Sequence, residues 1–470
     1  MKKLAYCLVA FVLLFLFMVA TNSQAINARC HDDHGQVSWQ YMGSTVSTYD
    51  PNVKHYMWET TRPPYGPWDK IALHRYVRQP DQWDDDPYAP APDRRKVFFV
   101  NPGTWDRGYQ SEMNPTTSQF WYFAGQGYDF YSISFRTEYI PNFAQDQFAT
   151  FGLANVLSAT SGWTYGVFRE DIKACVEFAK QISRAKQIFM GGVSRGGTHM
   201  FIYASKYPQD LKGLVSFDAG GAYVKVDPSN QETQAAFNAA VAALGSTPLS
   251  PYLSEVDHYD LNQYAGAVPY ATGMPGTTLS GTPETPLPAL NSLNPPIPSF
   301  APADKNRMTY VSDLRAYDTY WLGYPVLPPG LTCNYYTPYP GGGGETYMDE
   351  KILIEIEALL TRYWPHVQDL EGTFMANYLV NPYLDDYQNP NINLPVIFFA
   401  SELSCFGGSC LTQQHQQQPY DPTYQVRTQS NDITTIYLKG YGHLDVFSGT
   451  HSLQDIKQPA LNWMNQRLGH

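Results

Sequence analysis

Apolar positions along this chain fall into two alternating rhythms. Val97-Phe98-Phe99-Val100 is a short continuous run closed by Asn101-Pro102-Gly103, and a second run lies within Tyr128 to Phe135. Runs of this length, bounded by turn residues, predict strands buried on both faces. Between residues 168 and 182 the rhythm changes. Phe168, Ile172, Ala174, Cys175, Phe178, Ala179 and Ile182 recur at helical spacing, and Arg184 to Lys186 end the pattern. Gln187-Ile188-Phe189-Met190 returns to a buried strand. Gly191 then opens a sharp turn into a helix expected near His199 to Lys206, and Leu211 to Phe217 is a further strand. Alternating helices and wholly apolar strands predict an α/β fold: a mostly parallel sheet with helices on both faces.

The alternation stops after Gly220 and resumes at Pro395-Val396-Ile397-Phe398-Phe399-Ala400, a strand. Ile433 to Leu438 is another, followed by a closing helix through Leu453, Ile456 and Leu461 to Met464. The intervening residues are rich in Pro and Tyr, with a glycine run from Gly341 to Gly344 that lacks the lysine of a phosphate loop. They hold one amphipathic pattern, Ile352 to Tyr363, and are too long for a bare loop. They are expected to form a large cap inserted into the core. Residues 26–95 are broken by Pro63-Pro64, Pro67 and the prolines from Pro87 to Pro92, leaving Ile71 to Val77 as a strand. The expected organisation is a signal peptide at 1–25, a loop-rich extension with the first strands at 26–95 and a first core segment at 96–220. The cap at 221–393 and a second core segment at 394–470 complete it. With 470 residues, the chain exceeds the size at which single cores stop growing, about 250–300 residues.

The start of the chain adds a location. Lys2 and Lys3 precede an apolar run from Leu4 to Ala20, and Ser23-Gln24-Ala25 offers small residues for cleavage after Ala25. That layout predicts export, to the periplasm or the medium, with no stable membrane span after cleavage. An uncleaved anchor is the rival reading. Export permits disulfides, but Cys30, Cys175, Cys333, Cys405 and Cys410 are an odd set once Cys7 has left. Cys405 and Cys410 flank a short loop suited to a bridge, and Cys175 falls in the helical pattern as a buried thiol. The net charge is −12, which argues against a nucleic-acid partner, whose phosphates need a basic surface. No Cys/His spacing resembles a zinc site, and His31-Asp32-Asp33-His34 and Asp84-Asp85-Asp86 lack the spacing of a calcium loop. No metal and no cofactor is expected.

The chemistry concentrates at Gly191-Gly192-Val193-Ser194-Arg195-Gly196-Gly197, between a buried strand and a helix. A turn this tight strains its apical residue, and glycines two before and two after it avoid clashes across the turn. It lifts the Ser194 hydroxyl to the carboxyl edge of the sheet, beside a helix N-terminus that favours a developing oxyanion. A serine needs a base to attack at neutral pH. Gly440-Tyr441-Gly442-His443-Leu444-Asp445 follows the last strand and puts His443 at the same edge; no other histidine is so placed. His199, in the helix after the turn, reads as a packing or surface residue.

These segments resemble the α/β-hydrolase superfamily of esterases, lipases and related acyl hydrolases, over roughly residues 96–220 and 394–468. The resemblance implies a triad in the chain order Ser, acid, His. By position it makes Glu402, just past the strand ending at Ala400, the acid, with Asp218 as the second candidate; Asp445 is too close to His443 along the chain. It also implies backbone oxyanion donors at Thr104 and Arg195, although Pro102 stands where the family usually has His. The expected activity is hydrolysis of a small-molecule or lipid carboxylic ester through an acyl-enzyme. A serine peptidase or acyltransferase would share the machinery, and a non-catalytic binding protein on the same fold is the reading from another class.

Overall fold

A computed structural model describes residues 30–32, 35–47, 50–78, 86–103, 107–109, 118–140, 159–160, 162–219, 249–251, 363–365, 368, 392–401, 430–438, 441 and 445–468. Most of the expected cap and all of the signal segment lie outside them.

The apolar runs form strands with nearly the expected bounds. We number the strands of the main sheet β1 (Gln40–Val46), β2 (Val53–Thr61), β3 (Lys70–Arg78), β4 (Val97–Asn101), β5 (Asp129–Ser134), β6 (Ile188–Val193), β7 (Leu211–Phe217), β8 (Val396–Ser401) and β9 (Ile433–Leu438). They make one nine-stranded sheet in the order β9-β8-β7-β6-β4-β5-β3-β2-β1. From β9 to β5 every neighbouring pair is parallel; β5-β3, β3-β2 and β2-β1 are antiparallel. The sheet is therefore mostly parallel, with an antiparallel flank. That flank departs from the expected loop-rich extension: two strands of it, β1 and β2, went unread. In β2, VKHYMWETT, only alternate positions are fully buried, and polar residues fall among them, so no continuous apolar run marks the strand. β1 is the sheet's edge and mostly exposed.

Two helices, α2 (Tyr165–Ser183) and α3 (Arg195–Lys206), cover one face, where Trp39, Trp58, Phe178, Met190 and Phe201 share a core. The Thr164 side chain caps α2 by accepting from the Val167 amide, and Arg184 closes it in the left-handed conformation at φ 57°. On the other face lie α1 (Gln119–Gly125) and the closing helix, a π-helical turn at Leu453–Lys457 running into Gln458–Gln466. Packing on both faces is why β4, β5, β6 and β8 are buried along their full length.

Candidate functional site

Strand β6 runs through Gly191 and Gly192 to Val193, and α3 begins at Arg195, four residues earlier than its apolar spacing suggested. Ser194 alone makes the reversal, at φ 51° and ψ −124°, a conformation that strains any residue with a Cβ. Its amide donates to the Phe217 carbonyl at 3.3 Å, and its carbonyl accepts from the Gly197 amide at 2.9 Å, so the apex is tied to both β7 and α3. The flanking glycines have a steric reason. A Cβ on Gly192 would strike the Gly196 backbone, and a Cβ on Gly196 would strike the carbonyls of Asn101 and Pro102. The second contact seats the loop leaving β4 directly against the turn. Asn101 reinforces it by donating its side-chain amide to the Gly191 carbonyl at 3.3 Å. Ser194 is 7% exposed and stands at the N-terminus of the 12-residue helix α3.

A strained serine between a parallel strand and a helix is a specific arrangement, and comparison with known proteins agrees with it. The α/β-hydrolase-fold family model matches residues 157–247, which contain the whole turn. A structure of a proposed lipase from Sulfolobus solfataricus superposes with a TM-score of 0.57 at 22% sequence identity, covering 92% of this chain and 99% of that one. This chain has the α/β-hydrolase fold. A thioesterase domain from the curacin biosynthetic pathway gives a TM-score of 0.37 at 12% identity, over 83% of this chain and 95% of its own. Epoxide hydrolase I of potato (Solanum tuberosum) gives 0.36 at 11%, over 91% and 100%. No curated protein matches.

In this α/β-hydrolase fold the remaining site positions divide. Val193 pairs with Phe217, so Asp218 emerges beside Ser194 on the neighbouring strand. Asp218 is 1% exposed and also has positive φ, 43°; its amide donates to Phe399, and its Oδ1 accepts from the Ser401 amide at 3.0 Å. That carboxylate thus holds the end of β8, one residue before Glu402. Glu402, His443 and Thr104 lie outside the described residues, as do Cys405 and Cys410. The chain on either side of His443 is well held. Upstream, the buried Tyr441 donates its hydroxyl to Asp455 at 2.6 Å; downstream, buried Asp445 opens a short helix and accepts from Gly449 at 2.9 Å.

His199 takes the packing role. It is fully buried among the rings of Phe135, Tyr165 and Phe168, and burial, then the neighbouring Arg195 charge, pushes its pKa well down. Cys175 is buried in α2.

One polar cluster escaped the sequence reading. His55 on β2, His74 on β3 and Ser134 on β5 line up across three strands, His55 Nε2 meeting His74 Nδ1 at 2.9 Å and His74 Nε2 meeting Ser134 Oγ at 2.8 Å. Burial pushes His55 down to about 4, and burial, then the His55 charge, holds His74 well below its ordinary value. The signal available in the sequence was weak: isolated polar residues on inward-facing strand positions, legible only once the register is known.

Proposed function

We propose that this protein is an exported serine hydrolase that cleaves carboxylic esters through an acyl-enzyme on Ser194. The observation that carries the reading is Ser194 itself, held at positive φ between a parallel strand and a helix N-terminus. Nothing about packing requires a serine with strained backbone there; strain of this kind concentrates where geometry serves chemistry. An aspartate at this position would favour epoxide or haloalkane chemistry, and the chain has serine.

In the proposed cycle His443 takes the Ser194 proton as Oγ attacks the ester carbonyl. The amides of Arg195 and Thr104 receive the oxyanion, and His443 returns the proton to the leaving alcohol. Water then repeats the sequence on the acyl-enzyme and frees the acid. Glu402 steadies the imidazolium. A second acid is favoured by a specific observation: Asp218 is buried beside Ser194, with its carboxylate aimed at the residue preceding Glu402.

Export rests on the first 25 residues; among the described residues no helix is long and apolar enough to cross a membrane. The test is hydrolysis of short and medium p-nitrophenyl esters by the mature protein beside Ser194→Ala. Turnover lost in the variant supports the reading. Equal, negligible rates with esters, alongside cleavage of peptide p-nitroanilides, would replace it with a peptidase.

A further inference from the structure

The His55–His74–Ser134 row ends on a loop that matters to the proposed chemistry. The chain leaves β4 at Asn101 and Pro102 packed on the nucleophile turn, passes residues 104–106, and is next described at Arg107, Gly108 and Tyr109. All three of those residues are tied to the antiparallel side of the sheet. The Gly108 amide donates to Ser134 Oγ at 3.3 Å. The Tyr109 ring lies 5.3 Å from the His74 ring and accepts a hydrogen bond on its hydroxyl from Arg107 at 2.8 Å. The Arg107 charge faces the Glu138 carboxyl, which is itself hydrogen-bonded to Ser134. Contact at Gly108 is close enough that a Cβ there would run into the Ile133 carbonyl and the Ser134 amide.

The hydrogens of the row can be counted. A serine hydroxyl has one proton to give and two lone pairs to receive. With Glu138 ionised, Ser134 donates to it, which leaves Oγ to accept from Gly108 and from His74 Nε2–H. His74 Nδ1 then accepts from His55 Nε2–H, and His55 Nδ1 faces the Thr45 hydroxyl at 3.5 Å on β1. Every proton runs one way, toward Ser134, and its oxygen is saturated. Two neutral imidazoles in a sheet interior cost more than apolar side chains would unless each nitrogen is satisfied. Here they are satisfied in series, and the series terminates on a loop backbone amide.

We propose that Ser134 is a positioning residue: fed by His55 and His74, it fixes Gly108 and so sets the far anchor of the loop whose near anchor, Pro102, rests on the nucleophile turn. Three residues separate the two anchored stretches, Thr104 among them, so displacing Gly108 misplaces the amide assigned to the oxyanion. This deepens the ester-hydrolase reading and rests on it for its catalytic consequence, but the anchor has a readout of its own.

The test uses the full mature chain and three variants, with hydrogen exchange at the Gly108 amide read beside kcat and KM on a p-nitrophenyl ester. Ser134→Ala is expected to speed exchange at Gly108 about tenfold and to lower kcat about tenfold, with KM within about twofold of wild type. Ser134→Thr keeps the hydroxyl and should restore both. Gly108→Ala forces the loop off the Ile133–Ser134 backbone while keeping the Ser134 hydroxyl and both imidazoles, and should reproduce the kcat loss. Unchanged Gly108 exchange in Ser134→Ala overturns the anchor whether or not esters are cleaved. Faster exchange with wild-type kcat overturns the positioning role. A wild type that cleaves no ester, with exchange as expected, defeats the ester reading and leaves the anchor standing.

Discussion

The parallel half of the sheet and its antiparallel flank are built on different rules. Strands β4 to β8 are covered by helices on both faces and carry mostly apolar side chains in both directions; Asn101, Ser194 and Asp218 are buried polar groups at or just past their carboxyl ends, and Asp129 is one where β5 begins. The flank is mixed: β1 is mostly exposed, β2 is buried at alternate positions, and β3 is buried with polar residues among its apolar ones. Arg75 is fully buried with Asp129 in a two-pronged pair at 2.7 and 2.9 Å, and His55 and His74 form a polar row within the layer. The difference teaches where function can be sought. In the parallel half, topology gathers the candidate site at the carboxyl ends of the strands. In the flank, buried polar groups act at a distance, by holding what the parallel half presents.

Breaking the parallel half should show in activity before stability. Ser194→Ala is expected to lower ester turnover by about 10⁴-fold or more while shifting Tm by no more than a degree or two, since an apical serine packs little. Turnover surviving in this variant would remove Ser194 as nucleophile. The acid should come next. Glu402→Gln is expected to lower kcat by about 10³- to 10⁴-fold, with Asp218→Asn closer to wild type; the reverse order in the same assay would transfer the role to Asp218.

Breaking the flank should show in stability first. Arg75 links β3 to Asp129 at the start of β5 and also donates to the carbonyls of Pro87 and Ala89. Arg75→Met leaves the Asp129 carboxylate buried without its partner and is expected to cost about 3–5 kcal/mol in urea unfolding. A change below about 1 kcal/mol would mean that the flank is not fastened through this pair.

The smallest expected effect is on acid tolerance. Burial holds the folded pKa of His55 at about 4 and that of His74 well below its ordinary value. An unfolded imidazole titrates near 6.5. Between those values the unfolded chain binds protons that the folded chain refuses, so stability is complete above about pH 6.5 and is lost as pH falls toward 4. His55 alone should account for about 1.4 kcal/mol of that loss by pH 5.5. Urea melts at pH 7, 5.5 and 4 should show a shallower loss in the double variant His55→Leu/His74→Leu than in wild type. Equal slopes would mean that the carboxylates alone set the acid limit.

What was readable in the sequence follows from where each feature is encoded. A doubly buried strand announces itself as a largely apolar run, and Val97 to Val100 and Leu211 to Phe217 coincide with strands to within a residue; the partly exposed edge strand Ile433 to Leu438 coincides as well. The turn at Ser194 was legible because its steric demands are local: glycines at fixed offsets between a strand and a helix. α3 was only half read, because its first turn, Arg195 to Thr198, is the glycine-rich turn itself and has no apolar period. β2 was missed because burial on alternate positions, with His and Glu among them, resembles a loop.

The sequence by itself determined the α/β class, the strand–helix punctuation and the strained turn at Ser194, since local sterics and periodicity act over a few neighbouring residues. Tertiary structure alone decided that Asp218 stands beside Ser194 with its carboxylate on the Ser401 amide, 183 positions away along the chain. It alone brought His55, His74 and Ser134 into one row that ends on Gly108. The reason is physical: hydrogen bonds between strands depend on register, and register is set by the packing of whole faces rather than by any neighbour in the chain.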